Sequence, residues 1–148
     1  MIGKGHQKAI VSIVDRKSCY TMLRLVDEKT AEAVARACTT PLVSIIHVVR
    51  TLTVDNGKEF AYHQDIERTI NAPLYFADPY CSWQRGTNEN LNGLLRQYVP
   101  KSRPLSTVTD EELLSIQHQL NSRPRKKLGY KTPIEVYFLE RASVALCD

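Results

Sequence analysis

Two strand-like runs, joined by a short polar turn, restrict this chain more than any other feature. Residues 8–16 read K-A-I-V-S-I-V-D-R, a β-branched run suited to a buried strand, and residues 19–26 read C-Y-T-M-L-R-L-V. Arg16, Lys17 and Ser18 between them predict a hairpin. Strands and helices then alternate. An alanine-rich helix follows, capped by Thr30 or Asp27, and Pro41 should end or kink it near Thr40. The next stretch, L-V-S-I-I-H-V-V, suits either a helical piece or a strand. Residues 50–54 read as a short strand, 58–70 as a helix with Phe60, His63, Ile66 and Glu67 on one face, and 73–76 as another strand. Residues 84–98 form the best helix pattern of the chain, which 100–104 should break. Thr109 with Glu112 predicts a capping box for a helix to Leu120. Residues 123–131 are a basic loop, and Pro133 opens a last short helix to Leu139. The order predicts an α/β architecture with a mixed sheet.

A chain of 148 residues fits one domain. With 43% hydrophobic and 24% charged residues, wholesale disorder is excluded. The longest apolar stretch, 41–49, is interrupted by Ser44 and His47 and falls short of the ~20 residues of a membrane span. No apolar signal core follows Met1, so the expected location is the cytoplasm. The cysteines at 19, 38, 81 and 147 lack Cys-x-x-Cys spacing, and reduced thiols are expected rather than a zinc site. The basic excess is local. Residues 84–131 carry nine basic and four acidic side chains, the pattern expected where one face meets a polyanion.

Asp55 and Glu89 are the chemistry-bearing pair. Asp55 closes a short strand, where α/β sheets usually present functional groups, and Gly57 lets the chain turn there. Read alone, Asp-Asn-Gly is a turn signal. Glu89 lies in R-G-T-N-E-N-L-N-G-L-L-R-Q-Y. At helical spacing Arg85, Glu89, Asn92 and Arg96 share one face, while Leu91, Leu94, Leu95 and Tyr98 share another. Arg96 is placed to meet a phosphate backbone, and Gly86 and Gly93 suggest close approach or a helix start. Converging carboxylates can hold Mg²⁺ or Mn²⁺, and a two-metal site asks for a third. Trp83, with Tyr80 nearby, reads as packing or a hinge before the helix.

The segments V-D-N-G-K-E-F, D-P-Y-C-S-W-Q-R-G-T-N-E-N-L-N-G-L-L-R-Q-Y-V-P-K and L-N-S-R-P-R-K-K-L-G-Y-K-T-P-I-E-V-Y resemble the bacterial insertion-sequence transposases of the IS-thirty family. These are DDE transposases, akin to retroviral-type integrases, and the resemblance covers nearly the whole chain. The 33 residues between Asp55 and Glu89 match the family's Asp-to-Glu spacing. The resemblance implies a ribonuclease-H-like mixed sheet flanked by helices, with the first strand largely missing. It makes Asp55 the second catalytic aspartate, Glu89 the catalytic glutamate, and both of them ligands of Mg²⁺ or Mn²⁺. Arg85, Asn92, Arg96, Lys101, Arg123, Arg125, Lys126 and Lys127 would contact DNA.

One departure stands beside the match. The family's first aspartate lies on the strand before residues 8–15, and Asp15 reads as a hairpin turn residue instead. The expectation is therefore a catalytic core over 1–148, incomplete at its amino terminus, with 121–148 as its basic loop and carboxyl-terminal helix. The implied activity is metal-dependent end cleavage and strand transfer. The implied partners are transposon-end and target DNA, and further copies of this chain or a full-length transposase. The chain alone is expected to be inactive, and the alternative is a non-catalytic DNA-binding or inhibitory partner of a full-length transposase. A standalone nuclease acting on an RNA–DNA hybrid is a third possibility. No membrane is involved on this reading, and nucleoid association follows DNA binding.

Overall fold

The structure, a computed structural model, describes residues 8–78 and 86–145, with side chains to 140. Strands β1 (Ala9–Val14) and β2 (Thr21–Val26) pair antiparallel, from Ala9 opposite Val26 to Val14 opposite Thr21. The connection is longer than three residues. Asp15 accepts hydrogen bonds from the Ser18 amide at 2.7 Å and the Ser18 hydroxyl at 2.5 Å, so it is the turn residue expected. Cys19 then takes φ +59°, a left-handed conformation that costs a non-glycine residue about 1–2 kcal/mol.

The hairpin obeys the two-residue period of a strand, and each face meets a different helical layer. Ile10 and Leu23 join a core with Leu91, Leu95, Leu113, Ile116 and Leu120. On the opposite face, Ile13 and Met22 pack against a second core of Leu42, Val54, Ile66, Ile70 and Leu74. The protein is thus a helix–sheet–helix sandwich. Helices α1 (Ala31–Val43) and α2 (His63–Ile70) lie on one side, and α3 (Gly86–Tyr98) and α4 (Asp110–Asn121) on the other.

Helix α1 is capped by Thr30, whose hydroxyl accepts from the Ala33 amide at 3.2 Å. It runs through Pro41 to Val43 instead of ending near Thr40. Burial of Pro41 and Leu42, the latter in the core under α1, favours the extra turn. In the turn before the proline, Thr39 donates to the Ala35 carbonyl at 3.0 Å and Thr40 to the Arg36 carbonyl at 2.8 Å. The ambiguous stretch after it is helical, a short 3₁₀ turn at Ile46–Val48.

Strands β3 (Leu52–Val54) and β4 (Leu74–Phe76) pair in parallel, with Val54 opposite Phe76. Parallel neighbours need a crossover, and α2 supplies it after a 3₁₀ turn at Lys58–Phe60. Ile66 is buried on the predicted face, and Glu67 accepts from the Leu74 amide at 2.6 Å, tying the helix to β4. The strands form two pairs, one antiparallel and one parallel, with no ladder joining them among the described residues.

Helix α4 guards the open edge of β2. Asn121 accepts from the Thr21 amide and donates to the Thr21 carbonyl, both at 2.8 Å, and Gln117 accepts from the Leu23 amide at 2.8 Å. Spaced four residues apart, these amides occupy the edge groups that invite strand addition. The predicted capping box of α4 is half formed. Thr109 accepts from the Glu112 amide at 3.2 Å, but the Glu112 carboxylate turns to Arg103. A reciprocal box appears instead at the start of α5 (Pro133–Ala145). There Glu135 accepts from the Thr132 amide at 2.7 Å, and Thr132 accepts from the Glu135 amide at 3.2 Å. These bonds hold the Glu135 carboxyl below the usual carboxylate range. This helix runs past Leu139, six residues longer than expected.

Candidate catalytic and nucleic-acid site

Asp55 follows β3 directly, at the carboxyl end of the parallel pair. Its position is pinned on both sides. The Ala77 amide donates to the Val54 carbonyl at 2.8 Å, and the Asn56 side-chain amide donates to the Ala77 carbonyl at 3.1 Å. Asp55 is half-buried. Gly57 has an ordinary extended backbone at φ −74°, so no left-handed turn is needed. A Cβ there would instead collide with the folded-back Glu59 carboxylate, which also faces Lys29 at 3.8 Å.

Glu89 stands exposed in the first turn of α3. The amphipathic reading of this helix holds. Leu91 and Leu95 are buried, and Leu94 and Tyr98 pack against the same core. Asn88 accepts from the Ser12 hydroxyl at 3.2 Å and fixes the helix against β1. With the apolar face locked, Glu89 is held outward, where the positive end of the helix dipole favours a carboxylate. Asn92 and Arg96 are half-buried, and Asn92 Oδ1 is covered without a hydrogen-bond partner among the described residues. Gly86 begins the helix, and Gly93 is exposed with open space around a built Cβ. No other part of the described chain approaches Gly93 closely.

The basic residues divide. Lys101, Arg123, Lys126 and Lys127 are exposed. Arg85, Tyr80, Trp83, Cys81 and Cys147 lie outside the described residues. Residues 125–131 close on themselves. The Arg125 amide donates to the Lys131 carbonyl at 3.0 Å, the Tyr130 amide donates to the Arg125 carbonyl at 2.9 Å, and Gly129 takes φ +63°. Lys126 and Lys127 therefore sit on a fixed turn. Arg125 turns inward, its guanidinium donating to the Leu120 carbonyl at 3.1 Å. Arg103 is occupied by Glu112, which accepts from both of its terminal nitrogens, at 2.6 and 2.8 Å. That pairing pulls the Glu112 carboxyl below the usual carboxylate range and raises the guanidinium.

Among the described residues, no three His, Cys, Asp or Glu side chains form a cluster able to hold a metal ion. Cys19 and Cys38 are free thiols, and burial pushes Cys38 up to about 12. Asp78 follows Ala77, whose amide joins the end of β4 to Val54 beside Asp55. Its neighbourhood is set by strand register, which the sequence does not display.

Over all of its length the chain is 44% identical to the transposase for insertion sequence element IS4351 of Bacteroides fragilis, covering 46% of that protein. It is 45% identical over 140 residues to the InsI transposase of element IS30C of Escherichia coli K12, 94% of this chain and 36% of that one. By sequence, this chain is a relative of the IS30 transposases. It spans under half the length of these relatives. No family model matches it. The backbone superposes on the catalytic core domain of BIV integrase with a TM-score of 0.68 at 20% identity, over 95% of this chain and 98% of that one. The chain thus has the fold of an integrase catalytic core, and the expected α/β class holds. No helix among the described residues is long and apolar enough to cross a membrane.

Proposed function

We propose that residues 1–148 form the catalytic-core portion of a DNA transposase, with Asp55 and Glu89 in its active site. One observation carries the reading. Glu89 is exposed on a helix whose opposite face is locked into the core, with Arg96 two turns along on its own side. Kinship with transposases supports it.

The donor set fits a hard divalent cation, because both groups are carboxylates. Asp55 and Glu89 would hold Mg²⁺ or Mn²⁺, and the chemistry such ions supply when bound is neutralisation of charge at the scissile phosphate with activation of the attacking hydroxyl. The protein's own residues orient the strand. Arg96 and Asn92 face the backbone beside Glu89, and Arg85 and Lys101 extend that contact. Arg123, Lys126 and Lys127 supply a cationic surface whose turn is already ordered, so little entropy is lost when DNA binds.

A polypeptide of these 148 residues carries two of the three carboxylates the resemblance implies. We propose that on its own it binds DNA without turnover, and that it acts with further copies or with a full-length transposase on transposon ends and target. In a bacterial cell it would be cytoplasmic and nucleoid-associated when bound to DNA. The test is incubation with transposon-end DNA and Mg²⁺ or Mn²⁺. Binding without nicking is expected. Nicking abolished by Glu89→Gln would overturn the inactivity, and nicking indifferent to both Asp55→Asn and Glu89→Gln would overturn the site. The partial carboxylate set also favours a second reading, an inhibitory partner, which predicts co-purification with the full-length enzyme and loss of its activity.

A further inference from the structure

A small open cleft of about 80 Å³ lies between the end of the hairpin, the flank of α3 and the basic loop. Its lining has a consistent chemistry. Arg125 and Lys127 bring two cations, Thr87 and Asn90 bring neutral hydrogen-bonding groups, Leu91 is part of the apolar floor, and no carboxylate is present. Thr87 sits in the first turn of α3, where the helix dipole favours an anion. Arg125 adds an independent sign. Its Nε is covered from solvent and has no hydrogen-bond partner among the described residues, although one terminal nitrogen donates to the Leu120 carbonyl. A covered, unanswered guanidinium donor costs free energy unless an acceptor arrives. Asn90 is the residue after Glu89, so the cleft opens within one helical turn of the proposed catalytic carboxylate.

We propose that this cleft is a phosphodiester-binding pocket that grips one DNA strand where it passes Glu89. The inference rests on the transposase reading and sharpens it. A phosphate oxygen answers the Arg125 Nε, Lys127 balances the charge at the rim, and the apolar floor takes the sugar. The pocket fixes the strand's register against the active site, while the outer lysines add affinity without register.

Cys19 lines the same cleft as a free, half-exposed thiol, which gives a readout independent of catalysis. The full chain is alkylated with N-ethylmaleimide with and without a short mixed-sequence DNA, and Cys19 modification is followed by peptide mass spectrometry. Binding of the same DNA is measured separately by fluorescence anisotropy. At DNA about ten times above Kd, roughly one-tenth of the protein is unliganded, so Cys19 should react about tenfold more slowly. Arg125→Gln and, separately, the exposed-site variant Lys127→Gln should remove most of that protection. The second variant keeps the test decisive if loss of the Leu120 contact unfolds the first. DNA binding without protection of Cys19, or protection unchanged in both variants, overturns the pocket and leaves the transposase reading standing. Absence of any DNA binding overturns both. Equal protection by inorganic phosphate alone overturns the assignment to a nucleic-acid strand.

Discussion

Replacing Asn121 by alanine tests how the two helical layers are joined through the sheet. Asn121 is 2% exposed and Thr21 1% exposed, and the two 2.8 Å bonds between them span 100 residues of sequence. Alanine removes both partners of the Thr21 peptide group at once. No water reaches the site readily, so a buried N–H and a buried C=O are left unanswered. Each such group costs about 1–3 kcal/mol, giving about 2–6 kcal/mol in all. That is a large fraction of the ~5–15 kcal/mol that holds a domain together. Urea unfolding followed by circular dichroism measures it, with Ser122→Ala as the exposed neighbour expected within about 0.5 kcal/mol of the parent. A loss in Asn121→Ala no larger than in Ser122→Ala would refute the edge-capping role and the seating of α4 on β2.

Three further outcomes follow from the same geometry. Glu112→Gln should destabilise the protein at neutral pH. Because Arg103 depresses the Glu112 carboxyl in the folded state, that contribution is present above the ordinary carboxylate range and is lost as pH falls through the lowered value, so denaturation curves of parent and variant should converge in acid. Cys38, pushed up to about 12 by burial, should resist Ellman's reagent at pH 8 until denaturant is added, while Cys19 reacts in the folded chain; equal rates would contradict the buried position. Substituting Lys126 and Lys127 together by glutamine should weaken DNA binding across sequences and reduce the slope of log K against log salt by about 2, and an unchanged slope would remove these lysines from the interface.

Much of this fold was legible because it is written in local periodicity. The hairpin shows in two strand-like runs, and α3 shows in the leucines at 91, 94 and 95 opposite Glu89. What was not legible depends on distant partners. Proline at 41 predicts a break, but Pro41 and Leu42 are buried against the core and the helix continues to Val43. Glu112 looks like half of a capping box, yet a guanidinium nine residues away competes for its carboxylate. The box that does close, Thr132 with Glu135, is written in T-P-I-E, where proline is the stronger helix-start signal. In the candidate site, Asp55 and Glu89 are proposed from spacing and family resemblance. The inward turn of Arg125 was not legible, because five basic residues in a loop look alike until the loop's own hydrogen bonds fix which one faces the core.

The account's central claim is that Asp55 and Glu89 share a divalent ion. Titrating Mn²⁺ into the ¹⁵N-labelled chain tests it directly, because the ion broadens amide resonances near wherever it binds. The claim predicts simultaneous broadening around both residues, lost in full on either Asp55→Asn or Glu89→Gln. Broadening around one residue that survives substitution of the other would contradict it.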